Sequence, residues 1–210
     1  MTYTLYGSRG SGSAAIEMAL RVCGLPYRLV RASTWESDSA INDLARVNPL
    51  RQIPTLLLPD GTVLTESAAM LIYLGLVAGE GKLLPESLSA KAQAIRGLVF
   101  IAANCYSAIG INDYPERWTT ATTKPAQEKV RQGARRQLNR NWEVFADSFP
   151  GHPFLSGATP GALDFLAVVV SKWAGTRAHL SKKRPRLLKV LQSVEAHESV
   201  APVFREHWET

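Results

Sequence analysis

The stretch Gln52-Ile53-Pro54-Thr55 constrains the fold of this chain more than any other part of the sequence. Pro54 interrupts a run that otherwise reads as a β-strand. Because proline cannot donate to a strand ladder, we expect it at an edge or at the start of a strand. X-Pro bonds are also cis far more often than other peptide bonds. A kink here would leave the N–H and C=O of Ile53 free to pair with an extended peptide.

A polar pair about a dozen residues later marks the start of a helix. Glu66-Ser67 follows apolar Val63-Leu64 and precedes an apolar run over residues 68–74. This pattern is typical of a helix that begins with a carboxylate and a hydroxyl in its first turn. A small peptide with its own amine and carboxylate could be held between Ile53 and this helix start, although an ordinary capped helix fits the same pattern.

The N-terminal part of the chain alternates strands and helices. One predicted helix separates the first two strands, so these strands should be parallel neighbours joined by a right-handed crossover. The turn Pro59-Asp60-Gly61 separates the last two strands and predicts an antiparallel hairpin. The predicted elements are strands at 3–6, 27–30, 55–58 and 62–64 and helices at 14–23, 39–46 and 66–77.

Residues 79–88 are punctuated by Gly and Pro and predict a linker between residues 1–78 and residues 89–210. The second part reads as helical throughout, with apolar residues of its second helix at three- and four-residue spacing. The basic cluster 182–186 reads as a loop before a helix. The predicted helices lie at 89–111, 124–149, 161–173, 187–196 and 201–208.

Composition narrows the class of protein. The 210 residues carry a net charge of +6, which favours anionic ligands. The basic stretches lack interleaved aromatic residues, so we do not expect nucleic acid as a partner. The longest apolar run, 68–74, is too short to cross a bilayer, and the N-terminus lacks a signal pattern, so we expect no membrane association. Two cysteines without CxxC spacing indicate reduced thiols in the cytoplasm, and four scattered histidines predict no metal site.

Several spaced motifs carry a resemblance to a known family. They are Val47-Asn48-Pro49-Leu50-Arg51-Gln52-Ile53-Pro54-Thr55-Leu56-Leu57, Asp60-Gly61, Leu64-Thr65-Glu66-Ser67, Ile72-Tyr73-Leu74, Pro153-Phe154-Leu155-Ser156-Gly157 and Gly161-Ala162-Leu163-Asp164. The set resembles the cytosolic glutathione S-transferases, especially bacterial beta-, theta- and zeta-like members with a serine in the active-site loop. Two positions depart from the family pattern: Arg51 stands where glycine is common, and Gly161 replaces a Ser or Thr.

The resemblance implies a fold and an activity. The fold is an α/β thioredoxin-like N-terminal domain followed by an all-α C-terminal helical domain, usually as a homodimer. The activity is a glutathione transferase in which the glutathione thiolate attacks a hydrophobic electrophile, with glutathione as co-substrate and without a metal. Alternatives are isomerisation, dehalogenation or peroxide reduction on the same thiolate, or a glutathione-binding or regulatory protein that does not catalyse a reaction.

The resemblance also implies the site residues. Gly12 stands where beta-type members have a cysteine, so a nearby hydroxyl is the expected thiol activator. The candidates are, in order, Ser11, Ser13 and Ser8, although these serines fit simple capping of the next helix equally well. The expected glutathione-binding residues are Glu66 and Ser67 for the γ-glutamyl end, Ile53 beside Pro54 for the cysteinyl backbone, Gln52 and Arg51 for the glycyl end, and Tyr106 near the sulfur.

Overall fold

The computed structural model describes residues 2–78 and 81–209, so Gly79 and Glu80 of the predicted linker lie outside the described residues. The strands are β1 (Tyr3–Gly7), β2 (Tyr27–Arg31), β3 (Thr55–Leu57) and β4 (Val63–Leu64). The helices are α1 (Ser13–Val22), α2 (Ile41–Val47), α3 (Ser67–Val77), α4 (Leu88–Phe100), α5 (Ser107–Asp113), α6 (Lys124–Ser148), α7 (Ala162–Val170), α8 (Thr176–Lys183), α9 (Pro185–Ala196) and α10 (Ala201–Trp208). A π-helical segment, Ile101–Tyr106, joins α4 to α5, and a 3₁₀ turn spans Pro115–Trp118.

The four strands form one mixed sheet in the order β2-β1-β3-β4. Strands β1 and β2 are parallel and strands β3 and β4 are antiparallel, as the sequence predicts. Strand β3 also pairs with β1, and this pairing is antiparallel. Tyr6 pairs with Thr55 in the β1–β3 register. This register brings Pro54, the residue before β3, close to the end of β1 and to the loop that enters α1.

One apolar core joins the sheet half to the helical half. Ile16 and Leu20 of α1 are fully buried, and every residue of α7 is buried, in a continuous cluster that includes both helices. Leu83 and Leu84, inside the predicted linker, are also buried in it. The residues after position 80 therefore pack against the protein, and the division into residues 1–78 and 89–210 stays a prediction.

The buried carboxylate of Asp164 holds the segment before α7 in place. Asp164 accepts hydrogen bonds from the backbone N–H groups of Leu155 at 2.7 Å, Ser156 at 2.9 Å and Gly161 at 3.1 Å. A Cβ at Gly161 would stand 2.6 Å from the carbonyl oxygen of Leu83. Glycine is therefore required here by close backbone packing.

The helical half differs from the sequence-based prediction in two places. The long helix predicted at 89–111 is interrupted by the π-helical segment, for which the sequence gives no signal. The prediction missed α8, because residues 176–183 are mostly polar. Lys182 and Lys183 end α8 and Pro185 and Arg186 begin α9, so the loop predicted over residues 182–186 was wrong for all of them except Arg184.

The helical stretch Leu88–Asp113 is long and apolar enough to cross a membrane by length and composition alone. Its most apolar 18-residue window has a mean hydropathy of 1.5, and 39% of that window is buried inside the protein. A core helix of a soluble protein passes the same test, so this single helix is weak evidence for a membrane span.

Candidate functional site

The peptide bond between Ile53 and Pro54 is cis, which confirms the kink expected from the sequence. The side chain of Asn48 holds the loop before it by donating to the carbonyl oxygen of Gln52 at 3.1 Å and to Thr55 Oγ1 at 2.9 Å. Thr55 Oγ1 in turn donates to the Gln52 carbonyl at 2.8 Å. These bonds fix the turn from both sides of Pro54.

The backbone of Ile53 makes no hydrogen bond to any other residue of ranges 2–78 and 81–209. Its N–H and C=O are therefore available to an extended ligand strand. The neighbouring Gln52 and Arg51 side chains are exposed. Arg51 has a φ of 52°, in the left-handed region that favours glycine, which explains why glycine is common at this position in the family that the sequence resembles.

Helix α3 begins without a side-chain cap. Its N-cap residue, Glu66, makes no side-chain capping hydrogen bond and has a φ of 64°, which a non-glycine residue rarely adopts. Strained residues of this kind cluster at functional sites. Glu66 is exposed and Ser67 is half-buried, so both can be reached from solvent. The ordinary capped helix that the sequence also allows is therefore not formed here.

The hydroxyls of Ser11 and Ser13 hydrogen bond within the loop before α1, whereas that of Ser8 hydrogen bonds outside it. Ser11 Oγ lies 2.7 Å from the carbonyl oxygen of Ser8, to which it donates, and 2.8 Å from Ser13 Oγ. Ser11 Oγ also accepts from the Ser13 N–H at 3.2 Å. Ser8 Oγ donates to Glu36 Oε1 at 2.8 Å. Ser13 has no exposed surface, whereas 6% of Ser11 is exposed. The Ser13 hydroxyl therefore stabilises the loop itself, the Ser8 hydroxyl binds Glu36, and Ser11 is the most accessible of the three.

Tyr106 extends its hydroxyl group to the start of α1. A Cβ at Gly12, the residue before this helix, would stand 2.7 Å from Tyr106 Oη and 3.3 Å from Pro54 Cδ. The phenol thus occupies the space that a side chain at position 12 would need. Because α1 begins at Ser13, the positive end of its dipole lies at the same place.

The surroundings of Tyr106 keep its phenol neutral and in place. Burial raises the pKa of the Tyr106 phenol to about 12, with smaller contributions from the negative charges of Glu66 and Asp113. Its ring packs edge-on against Trp173, with the ring centroids 5.5 Å apart. A phenol with this pKa is a hydrogen-bond donor at neutral pH.

Tyr106 is the last residue of the π-helical segment, and α6 supports this segment. The buried Asn141 of α6 donates to the carbonyl oxygen of Asn104 at 2.8 Å. π-Helical turns are rare in proteins as a whole, and those that occur are often found at functional sites. The neighbouring Cys105 is fully buried, and burial raises its thiol pKa to about 12, so it is an apolar core residue.

The geometry brings several of the predicted site residues together. Pro54 and Tyr106 meet beside Gly12 at the start of α1, and the charge of Glu66 acts on Tyr106. The hydroxyl of Ser8 is instead directed to Glu36. Within the parts of the chain that the structure describes, no three His, Cys, Asp or Glu side chains are grouped to hold a metal ion.

Two features of the site region were missed from the sequence. The role of Asn48 in holding the cis-proline turn could have been suspected from its place in the motif around Pro54. The contact between the loop at residues 9–10 and helix α10 joins positions 197 apart and has no local signal.

Known proteins resemble the chain at three levels. Residues 13–76 match the glutathione S-transferase N-terminal domain family. The chain is 37% identical over 128 residues to the uncharacterized GST-like protein YncG of Escherichia coli (strain K12), covering 60% of this chain and 62% of that protein. The chain thus matches less than two thirds of the length of that relative. It is 26% identical over 172 residues to glutathione S-transferase GstA of Escherichia coli O157:H7, covering 81% of each.

A solved structure extends the likeness to the whole chain. The crystal structure of a glutathione transferase homolog from Sulfitobacter, with bound glutathione, matches with a TM-score of 0.84 and covers 98% of both chains. The identity is 24%, so this match shows a shared fold. Residues 13–76 therefore belong to the glutathione S-transferase N-terminal domain family, and the chain has the glutathione S-transferase fold, a thioredoxin-like domain followed by a helical region.

Proposed function

We propose that this protein is a glutathione transferase, which activates the thiol of glutathione for attack on a hydrophobic electrophile. The observation that carries the proposal is the meeting of Gly12, Pro54 and Tyr106 at the start of α1. At this place the unpaired backbone N–H and C=O of Ile53, the positive end of the α1 dipole and the neutral hydroxyl of Tyr106 lie close together. The likeness to GstA and to the Sulfitobacter protein with bound glutathione supports the same ligand.

The parts of glutathione would be held along the line from α3 to the cis-proline loop. The γ-glutamyl carboxylate binds Ser67 and the uncapped amides at the start of α3, because a helix N-terminus attracts anions. Glu66 faces the γ-glutamyl amine. The cysteinyl backbone pairs with the free N–H and C=O of Ile53, and Gln52 and Arg51 reach the glycyl end.

The sulfur of this bound tripeptide lies at the start of α1. An ordinary thiol has a pKa of about 8.5, and lowering it by two units requires roughly 2.7 kcal/mol of preferential thiolate stabilisation. One hydrogen bond to a charged group is worth about 1.5–3 kcal/mol, and a helix N-terminus adds about 1 kcal/mol. A hydrogen bond from Tyr106, or from Ser11, together with the α1 dipole, is therefore sufficient.

The test is binding and turnover by the wild-type chain and two variants. We expect retention on immobilised glutathione and turnover of a chlorinated nitrobenzene. In Tyr106→Phe, the thiol pKa of bound glutathione, read from thiolate absorbance, should rise by about one to two units if Tyr106 is the donor. Ser11→Ala tests the serine in the same way. Tyr114→Phe is a matched control, because Tyr114 packs on Arg117 in an exposed position.

Each outcome of this test has a definite meaning. An unchanged thiol pKa in both Tyr106→Phe and Ser11→Ala would contradict the assignment of the donor. Absence of glutathione binding by the wild-type chain would contradict the proposed function itself. The protein could also bind glutathione and turn over only a peroxide, a haloacid or an isomerisable substrate. That result would support the activated thiolate but would replace conjugation by another reaction.

A second candidate is a protein that binds glutathione without catalysis. It is favoured by the hydroxyl groups of Ser8, Ser11 and Ser13, all of which already hydrogen bond within the protein. In that case the glutathione thiol would keep a pKa near its ordinary value when bound. Retention on immobilised glutathione without turnover of any electrophile would support this candidate.

The proposal includes a cytoplasmic homodimer. Exposed apolar side chains lie on α3 and α4, at Leu76, Val77, Leu88 and Val99. Two subunits could bury them against each other. Sedimentation equilibrium should give twice the chain mass of 23.0 kDa. A single-chain mass at micromolar concentration would contradict the dimer and leave the glutathione site unaffected.

A further inference from the structure

Helix α10 holds the loop that leads into the proposed glutathione site. Arg9 Nε donates to the carbonyl oxygen of Glu206 at 2.7 Å, and the Gly10 N–H donates to His207 Nδ1 at 3.2 Å. Gly10 has a φ of 66°, which favours glycine, and a Cβ on it would stand 3.8 Å from the indole nitrogen of Trp208. Two successive loop residues are therefore bound to successive residues of α10.

The hydrogen bonds of His207 define its tautomer. Since Nδ1 accepts the Gly10 N–H, the proton must lie on Nε2, which is 3.0 Å from Glu17 Oε2 and donates to it. Glu17 Oε1 accepts from the Tyr27 hydroxyl at 2.6 Å and from Arg21 at 2.8 Å. Only 3% of Glu17 and 8% of His207 is exposed. If both ring nitrogens of His207 carried a proton, the Nδ1–H would face the Gly10 N–H, and this hydrogen bond could not form.

We propose that His207 is a positioning residue for the glutathione site, which fixes the loop at residues 9–12 through the Gly10 N–H. Ser11 and Gly12 follow Gly10 directly, so the same bond sets the position of Ser11 Oγ and of the start of α1. The inference rests on the proposed function, because it assigns glutathione affinity to a contact outside the residues that touch glutathione.

Two substitutions of His207 test the roles of its two ring nitrogens separately. His207→Asn keeps an acceptor oxygen near the position of Nδ1 and loses the donor to Glu17. His207→Gln keeps an N–H near the position of Nε2 and loses the acceptor for Gly10. A residue with only a structural role would change glutathione affinity in proportion to stability in both variants.

A positioning residue gives a different pattern. In His207→Gln, we expect amide hydrogen exchange at residues 9–12 to become about three- to tenfold faster and the glutathione Kd to rise by a similar factor. In His207→Asn, exchange of the loop and the Kd should stay near the wild-type values, although the free energy of unfolding falls. Affinity that follows stability across both variants would overturn the proposal, as would an unchanged loop in His207→Gln.

His197→Gln is the matched control. His197 also accepts through Nδ1, from the Ser199 N–H at 3.3 Å, and it lies in the turn between α9 and α10. Its substitution should leave both the exchange of residues 9–12 and the glutathione Kd unchanged. Equal effects of His197→Gln and His207→Gln would overturn the assignment to His207.

A measurement on the wild-type chain applies even if a variant does not fold. Nitrogen NMR shifts of His207 at neutral pH should give an unprotonated Nδ1 and a protonated Nε2. A protonated Nδ1 would overturn the proposal. If the wild-type chain does not bind glutathione, the proposed function fails, whereas the exchange of residues 9–12 in His207→Gln still decides whether α10 positions the loop.

Discussion

Replacement of Gly12 by alanine tests the contact on which the site depends. The backbone of Gly12 is right-handed helical, with φ −60° and ψ −16°, so alanine fits the conformation and should gain about 0.4–1 kcal/mol from the unfolded state. The new methyl group, however, would stand 2.7 Å from Tyr106 Oη. Because Trp173 packs against the Tyr106 ring, relief of this overlap is expensive, and overpacking of this kind costs about 1–3 kcal/mol.

Removal of the phenolic oxygen should remove most of this cost. In a Tyr106→Phe background the nearest atoms to the methyl group are Pro54 Cδ at 3.3 Å and the ring carbon Cζ at 3.6 Å. We therefore expect Gly12→Ala to be nearly neutral there, which gives a coupling energy of about 1–2 kcal/mol in the double-mutant cycle.

The assay is the free energy of unfolding in urea for the wild type, both single variants and the double variant. Gly133→Ala is the control, since a Cβ at Gly133 in α6 meets nothing within 4 Å, and alanine should stabilise that helix by about 0.5–1 kcal/mol. Equal costs of Gly12→Ala in the wild-type and Tyr106→Phe backgrounds would refute the position of the phenol over Gly12.

Three further predictions concern buried polar groups. Burial alone raises the pKa of Glu17, but hydrogen bonds from His207, Tyr27 and Arg21 outweigh it and lower the pKa from 4.5 to about 2. Glu17 thus stabilises the folded state fully above pH 4.5, and roughly 3 kcal/mol is lost as the pH falls from 4.5 towards 2. Glu17→Gln should flatten this acid limb of the unfolding profile, and an identical limb in both proteins would contradict the network. In Asp164→Asn, the new side-chain N–H would face one of the backbone N–H groups that now donate to the carboxylate, so the free energy of unfolding should fall by about 2–3 kcal/mol. A loss smaller than the error of a urea titration would count against the three hydrogen bonds. Burial raises the thiol pKa of the buried Cys105 to about 12, and partial burial raises that of the half-buried Cys23 to about 11, so neither should react readily with iodoacetamide at neutral pH before unfolding, and fast labelling of the folded protein would disagree with these raised pKa values.

The sheet half could be predicted because its signals are local. The stop Gly24-Leu25-Pro26 and the turn Pro59-Asp60-Gly61 each define an element boundary within a few residues. Together they predict the parallel pair β1–β2 and the antiparallel hairpin β3–β4, both of which the structure confirms. The sequence also shows locally, by its proline, that a cis bond is more frequent before Pro54 than elsewhere, and this bond is cis.

The remaining features depend on contacts between distant positions. Helix α8 lacks an apolar stripe and is stabilised by the burial of Thr176 and Leu180 against other elements. The local sequence of α8 gives no sign of this burial. Similarly, Gly10 and His207 are 197 positions apart. The sequence named Tyr106 only through resemblance, and its meeting with Gly12 required the packing of α4, α5 and α6 around the π-helical segment.

The π-helical segment makes the site sensitive to chain length as well as to residue type. Each residue of a regular α-helix turns the chain by about 100°. The π-helical segment has hydrogen bonds from residue i to i+5 and so takes one residue more per turn than an α-helix. If the same six residues were wound as a regular α-helix, the Tyr106 phenol would therefore be turned away from Gly12. Deletion of one residue from the segment would restore regular winding with α5 still in register, so a relative with a regular helix here would need its tyrosine one position earlier to present the same hydroxyl.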